Sequence, residues 1–200
     1  MRLIRWIRNL FAPNPQPAPV PTEPVPTHEG QRVALVVGHT ATARGARSVI
    51  GIQEYDYFKE VCEIVLAELK TDKVKMFLRD GRGIAQTIDA AANWGADVII
   101  ELHFNAFNGT AHGAEILIPQ GTTNALGADF LAKWCEFAKL RNRGVKTVTR
   151  TQPGGTSVFT INARKRQGFL WETFFGDTIS DFRDQETVAE FLCEWIRERL

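Results

Sequence analysis

From residue 31 onward, the chain alternates short apolar runs with longer segments whose apolar residues recur at helical spacing. The runs are continuous and rich in valine and isoleucine, which is typical of strands buried on both faces. The longer segments carry their apolar residues on one stripe, which is typical of amphipathic helices. This alternation predicts a single α/β domain, in which a twisted, mostly parallel sheet has helices on both faces.

The pattern predicts five strands and four helices. The predicted strands cover residues 32–37, 74–78, 97–103, 114–118 and 167–172. The predicted helices cover residues 54–69, 84–94, 124–140 and 187–200. Because ligands bind at the carboxyl ends of the strands in such sheets, polar residues at those ends are the first candidates for a functional site.

Two segments precede this pattern. Residues 1–11 place arginines on one helical stripe and apolar residues on the rest, which predicts a cationic amphipathic segment. It is too short to span a bilayer and lacks the features of a cleavable signal peptide. Contact with an anionic membrane surface, packing of a helix on the body and a frayed terminus are the alternatives. Residues 12–30 hold seven of the nine prolines and predict an extended linker, which leaves 31–200 as the folded domain.

Composition restricts the class of protein. With 200 residues, 44% of them hydrophobic, the chain can bury a core without disulfides or a structural metal. A formal net charge of +1 argues against nucleic acid as the main partner. Cys62, Cys135 and Cys193 fall within predicted helices, so we expect reduced core residues rather than bridges or ligands.

Three potential metal ligands stand at the ends of predicted elements. His39 follows Gly38 after the first strand, Glu54 opens the first helix, and His103 closes the strand at 97–103. Two imidazoles and a carboxylate are a common ligand set for catalytic zinc, with the fourth position left open for water. Each residue alone is explained as well by an ordinary loop histidine or a glutamate favoured by the helix dipole. Together they predict a zinc site.

Glu172 ends the apolar strand at 167–172. An acid at that position is expected to be partly buried, which raises its pKa and suits it to proton transfer near neutral pH. A helix-entry carboxylate and a surface salt bridge are the alternatives. We predict that Glu172 is catalytic.

With these residues in place, the chain resembles the zinc-dependent N-acetylmuramoyl-L-alanine amidases of the amidase-3 type, which include bacterial cell-wall amidases and phage endolysins. The resemblance runs from about Val33 to the C terminus and depends on the order and spacing of several short motifs. These motifs are Val36-Val-Gly-His39, Glu54, Ala92-Asn93, Ala96-Asp97, His103-Phe-Asn105, Gly113-Ala-Glu115 and Phe169-Leu-Trp-Glu172-Thr-Phe-Phe175.

The resemblance implies that His39, Glu54 and His103 hold Zn²⁺ and that peptidoglycan is the substrate. It implies that a zinc-activated water attacks the amide between N-acetylmuramic acid and L-alanine, with Glu172 as general base and then general acid. A lytic, endolysin-like enzyme is the favoured function. A zinc peptidase acting on stem peptides and a non-catalytic wall-binding module are the alternatives. We expect action on the cell wall, in the periplasm or outside the cell. Export by a signal of its own and release from the cytoplasm on lysis are the two alternatives for how the enzyme reaches the wall.

The chain departs from the family in three places: Ile88 replaces an expected arginine, the stretch after His39 is short and poor in glycine, and the third departure lies beside the predicted metal site. Glu101 replaces the small, serine-like residue that the family usually has two positions before His103. The two-residue period of a strand puts Glu101 on the same face as His103, where it orients that imidazole, adds a carboxylate to the site or forms a structural salt bridge. Asn105 and His112 are further candidates for substrate contact, with a structural role equally open for both.

Overall fold

Six strands and five helices alternate along residues 30–200, the part of the chain that the computed structural model describes. The strands are β1 Val33–Val37, β2 Val74–Phe77, β3 Val98–Asn105, β4 Ala114–Pro119, β5 Asn142–Val148 and β6 Gln167–Phe175. The helices are α1 Glu54–Leu69, α2 Ile84–Asn93, α3 Ala125–Ala138, α4 Gly155–Ala163 and α5 Gln185–Arg197.

The strands form one sheet in the order β2-β1-β3-β6-β4-β5. Strands β1, β2, β3 and β6 run parallel, while β4 is antiparallel to β6 and parallel to β5. The predicted α/β domain with a mostly parallel sheet is therefore confirmed. The carboxyl ends of β1, β3 and β6 meet at one edge of the sheet, where the candidate residues were expected.

Helices cover both faces of the sheet. The larger core lies under α1, α3 and α5 and includes the fully buried side chains of Leu35, Ile100 and Trp171. On the other face, α2 and α4 cover a smaller cluster that includes Ile99 and Ile161. As predicted, the three cysteines are buried and unpaired.

Capping residues set two helix boundaries more closely than apolar periodicity does. Asn124 precedes α3 and accepts a hydrogen bond at its side chain from the Gly127 N–H, at 2.8 Å. Asp184 precedes α5, and its side chain accepts a hydrogen bond from the Thr187 N–H at 2.9 Å. Helix α5 therefore begins at Gln185, two residues before the predicted start at 187. Both side chains satisfy a donor that the first helical turn leaves free.

Two elements were not predicted from the sequence. Strand β5 has one buried residue, Val148, and has Gly144 at a φ of 84°. Among the described strands it pairs with β4 alone, so its residues lack a strong apolar period. Helix α4 begins after Gly154, which has a φ of 75°. A glycine pair at that point favours a turn, and the turn does form, but a helix follows it directly.

The described residues begin and end beside each other. The Gly30 N–H donates to the Leu200 carbonyl at 3.1 Å, and the Gln31 N–H donates to the Arg199 carbonyl at 3.0 Å. The predicted amphipathic segment at 1–11, and the predicted linker up to residue 29, lie outside the described residues. Within residues 30–200, no helix is long and apolar enough to cross a membrane.

Candidate metal centre and active site

The structure brings His39, Glu54 and His103 together. One ligand atom from each lies within 4.8 Å of the others. His39 lies in the loop after β1 and Glu54 is the first residue of α1. His103 lies inside β3 rather than at its end, because the strand continues to Asn105.

The Glu54 carboxylate lies between the two imidazoles. Its Oε1 is 2.8 Å from His103 Nδ1 and its Oε2 is 3.2 Å from His39 Nε2. Backbone N–H groups donate to the same oxygens, Phe104 at 3.1 Å to Oε1 and Ala46 at 3.0 Å to Oε2. The carboxylate is therefore fixed by the backbone of two segments.

Electrostatics keep this carboxylate charged. Burial raises the pKa of Glu54, but hydrogen bonds with His103 and His39 outweigh it and lower the pKa to about 2. An ionised carboxylate beside two imidazoles is the donor chemistry that a divalent zinc ion takes in an open catalytic site. The residues present therefore fit the predicted metal.

Two glycines make room for these side chains. A Cβ on Gly38 would lie 1.9 Å from His103 Nε2, so the His103 ring occupies the space beside the Gly38 backbone. A Cβ on Gly45, where φ is +78°, would lie 2.5 Å from both Glu54 Oε2 and the His39 ring. No apolar pattern in the sequence marks either requirement: Gly38 contacts His103, which is distant along the chain, and Gly45 contacts His39 and Glu54 only through the fold of the loop.

The second nitrogen of His103 faces Glu101. His103 Nε2 lies 3.0 Å from Glu101 Oε1, and Glu101 is only 2% exposed. The two side chains share a face of β3, as the strand period predicts. Burial lowers the pKa of His103, but hydrogen bonds with Glu101 and Glu54 raise it well above its ordinary value.

Glu172 lies beside this group, inside β6 rather than at its predicted end, because the strand continues to Phe175. It is the register partner of His103 across β3 and β6, and of Glu115 across β4 and β6. Its Oε2 is buried, with no hydrogen-bond partner among the described residues. Burial raises the pKa of Glu172 to about 8, with the charge of His103 opposing the rise and nearby carboxylates adding to it.

A family model described as N-acetylmuramoyl-L-alanine amidase matches residues 33–188, a span that contains all four of these residues. The chain belongs to this family. It is thus an amidase of cell-wall peptidoglycan, and the resemblance recognised from the motifs is confirmed. Comparison with curated protein sequences gives no match.

Solved structures show that the amidase fold is shared. The chain is similar to an N-acetylmuramoyl-L-alanine amidase from Clostridium difficile 630 (TM-score 0.66, 19% identity, 84% of this chain and 95% of that one). It is similar to the catalytic domain of the CD27L endolysin, which targets Clostridia difficile (0.61, 21%, 84% and 98%). It is also similar to AmiC2 of Nostoc punctiforme (0.62, 16%, 86% and 97%). At these identities the likeness concerns the fold.

The amidase domain also contains a polar network that the sequence patterns did not predict. Asn105 Nδ2 donates to Glu115 Oε1 at 3.1 Å, and Arg143 Nε donates to Glu115 Oε2 at 2.7 Å. Asn105 of β3 is thus held through its amide by β4, a strand that β6 separates from β3. The two-residue period of β4 could have predicted that Glu115 lies on the same face of the sheet as Glu172. Arg143 could not have been found in this way, because it lies on β5, which was not predicted.

His112 is not part of the ligand group of the amidase. Its Nδ1 lies 3.0 Å from Asp181 Oδ1, and its carbonyl accepts a hydrogen bond from Arg143 Nη1 at 3.2 Å. The Thr178 hydroxyl donates to the adjacent Ala111 carbonyl at 2.9 Å. The contacts with Asp181 and Thr178 join the loop before β4 to the segment after β6, and the contact with Arg143 joins it to β5.

Proposed function

We propose that this amidase is a zinc hydrolase that cleaves the amide between N-acetylmuramic acid and the L-alanine of the stem peptide. The observation that carries the proposal is the placement of His39, Glu54 and His103 next to Glu172 at one edge of the sheet. Family membership supports peptidoglycan as the substrate, and the donor set supports zinc as the metal.

Zinc held by these three residues would supply a Lewis acid that polarises the scissile carbonyl and makes a water molecule more acidic. The protein's part is to hold the donors in place beforehand. Backbone N–H groups of Phe104 and Ala46 already fix the Glu54 carboxylate, and Gly38 gives the His103 ring its place. Little reorganisation is then needed when the metal binds.

Glu172 is proposed as the group that moves protons. Its ionised carboxylate accepts a proton from the attacking water, and the carboxylic acid so formed delivers that proton to the leaving amine of L-alanine. Burial raises the pKa of Glu172 to about 8 in the metal-free site, and a rise is the direction that suits a group exchanging protons near neutral pH. The unpartnered Oε2 supports this role, because no other described side chain holds that oxygen away from a ligand.

We further propose a lytic role, with action on the cell wall in the periplasm or outside the cell. A likeness in fold to an endolysin catalytic domain supports this role. The cationic amphipathic composition of residues 1–11 supports contact with an anionic membrane near the wall.

Digestion of purified peptidoglycan followed by mass analysis tests the reaction. We expect release of intact stem peptides with a free L-alanine amino terminus, loss of release after chelation, and recovery when zinc is added back. Release of only shorter peptides would instead identify a peptidase. Wall binding with no release at any zinc concentration would identify a binding module.

A further inference from the structure

The geometry assigns Glu101 a positioning role: it accepts a hydrogen bond from His103 Nε2–H and so reserves His103 Nδ1 for the metal. This inference rests on the proposed zinc function, and it adds a residue to the site that the family's usual small residue does not supply. The two nitrogens of His103 face different carboxylates. Nδ1 is 2.8 Å from Glu54, a member of the ligand group, and Nε2 is 3.0 Å from Glu101.

The ring of His103 is held in this orientation. The Gly38 backbone lies so close that an added Cβ would be within 2.7 Å of three ring atoms. On the neighbouring strand, the Thr173 hydroxyl donates to the His103 carbonyl at 3.0 Å, which fixes the backbone. The ring nitrogens therefore keep their separate partners.

A structural salt bridge does not explain Glu101. Its register partners on the flanking strands are Val36 and Leu170, both apolar and buried. Within residues 30–200, no lysine or arginine forms an ion pair with Glu101, and its Oε2 has no hydrogen-bond partner. Burying a carboxylate in such surroundings is costly, so its one partner, the His103 imidazole, accounts for its presence.

A carboxylate that accepts from the far nitrogen of a metal-binding histidine fixes the tautomer and makes the other nitrogen a stronger donor. Glu101 thus adds negative charge next to the ligand group without occupying a position on the metal. Because the hydrogen bond of Glu101 goes to His103, its effect on the metal passes through that imidazole. This separates it from Glu54, which faces both histidines.

Zinc affinity of purified full-length variants, measured by chelator competition, tests the inference. We expect Glu101→Ala to weaken zinc binding by about 10- to 100-fold, and Glu101→Gln, which keeps an acceptor but loses the charge, to weaken it less. The matched control is Glu115→Gln, a carboxylate that contacts Asn105 and Arg143 rather than a proposed ligand. The control is expected to keep the wild-type affinity.

A second measurement uses the wild-type chain and does not depend on the variants folding. In the ¹⁵N NMR spectrum of zinc-loaded protein, His103 should be protonated at Nε2 and metal-bound at Nδ1. Metal at Nε2, or unchanged affinity in folded Glu101→Ala, would overturn the inference while leaving the zinc site intact. Failure of the wild type to bind zinc would instead overturn the proposed function, and with it the inference.

Discussion

His103 and Glu172 are register partners on adjacent parallel strands, so their side chains emerge side by side on one face of the sheet. A proposed metal ligand and a proposed proton carrier are thereby held at a separation set by the strand spacing of about 4.8 Å. No loop has to move to bring them together. Because the two groups belong to different strands, metal binding and proton transfer should be separable by mutation.

We predict that Glu172→Gln removes catalysis but not zinc binding. The amide keeps the shape of the side chain but cannot take a proton, so the rate of amide hydrolysis should fall about 100- to 10,000-fold. Metal content and product masses, measured on the same preparation, check this. A variant that loses zinc together with activity would show that Glu172 is a ligand rather than a proton carrier.

Stability of the metal-free protein should depend on pH through Glu172. The pKa of this carboxyl rises from an ordinary value of 4.5 to about 8 in the folded protein, so the folded state holds the proton more tightly than the unfolded chain does. Its stabilising contribution is complete below pH 4.5 and is lost as the pH rises through about 8. A pKa difference of one between the two states corresponds to about 1.4 kcal/mol.

The Gln variant lacks this titration. Relative to wild type, Glu172→Gln should therefore gain a few kcal/mol in unfolding free energy between about pH 4 and about pH 9, measured by urea denaturation in the presence of a chelator. A difference that stays constant over this range would contradict the raised pKa.

Zinc should stabilise the folded protein. A ligand at about 100 times its dissociation constant adds about 2.7 kcal/mol to the unfolding free energy when it binds only the folded state. The melting temperature should rise with zinc in the wild type and not in His39→Ala. The matched control is His112→Ala, because His112 pairs with Asp181 outside the ligand group. In this variant the melting temperature should still rise with zinc.

Gly38→Ala should damage the site although it adds only one methyl group. The new Cβ would lie 1.9 Å from His103 Nε2, so the ring must move and the ligand geometry is lost. We expect weaker zinc binding and loss of hydrolysis. Gly83→Ala is the control, because its φ is −70° and its nearest neighbour would be 3.9 Å away. Equal zinc affinity in the two variants would contradict the proposed packing.

Deleting residues 1–11 should leave zinc-dependent hydrolysis of purified peptidoglycan unchanged and weaken binding to anionic vesicles. The reason is that the proposed ligands and Glu172 all lie within residues 30–200. Vesicle co-sedimentation and digestion of purified wall, measured side by side, check the two halves of this prediction. Equal vesicle binding by the truncated and full-length chains would remove the membrane proposal.

Sequence patterns predicted the interior strands and α1 because burial on both faces, or on one stripe, leaves a strong period. The bounds of α1, Glu54 to Leu69, agree with the prediction. The edge strand β5 and the glycine-led α4 were missed since neither carries such a period.

The local period of a strand also placed Glu101 beside His103. By contrast, Gly38 and Arg143 acquire their roles only through residues distant in the chain, and Gly45 acquires its role through the fold of the loop between His39 and Glu54. No local pattern marks them.

The joined ends of the described domain bear on how this enzyme meets its substrate. Gly30 pairs with Leu200 next to the start of β1, whereas His39 follows the end of the same strand. A strand of this length spans roughly 16 Å. Any tether that enters through residue 29 therefore joins the domain on the side opposite His39. If residues 1–11 bind a membrane, the proposed active site would therefore face away from that membrane and toward the wall.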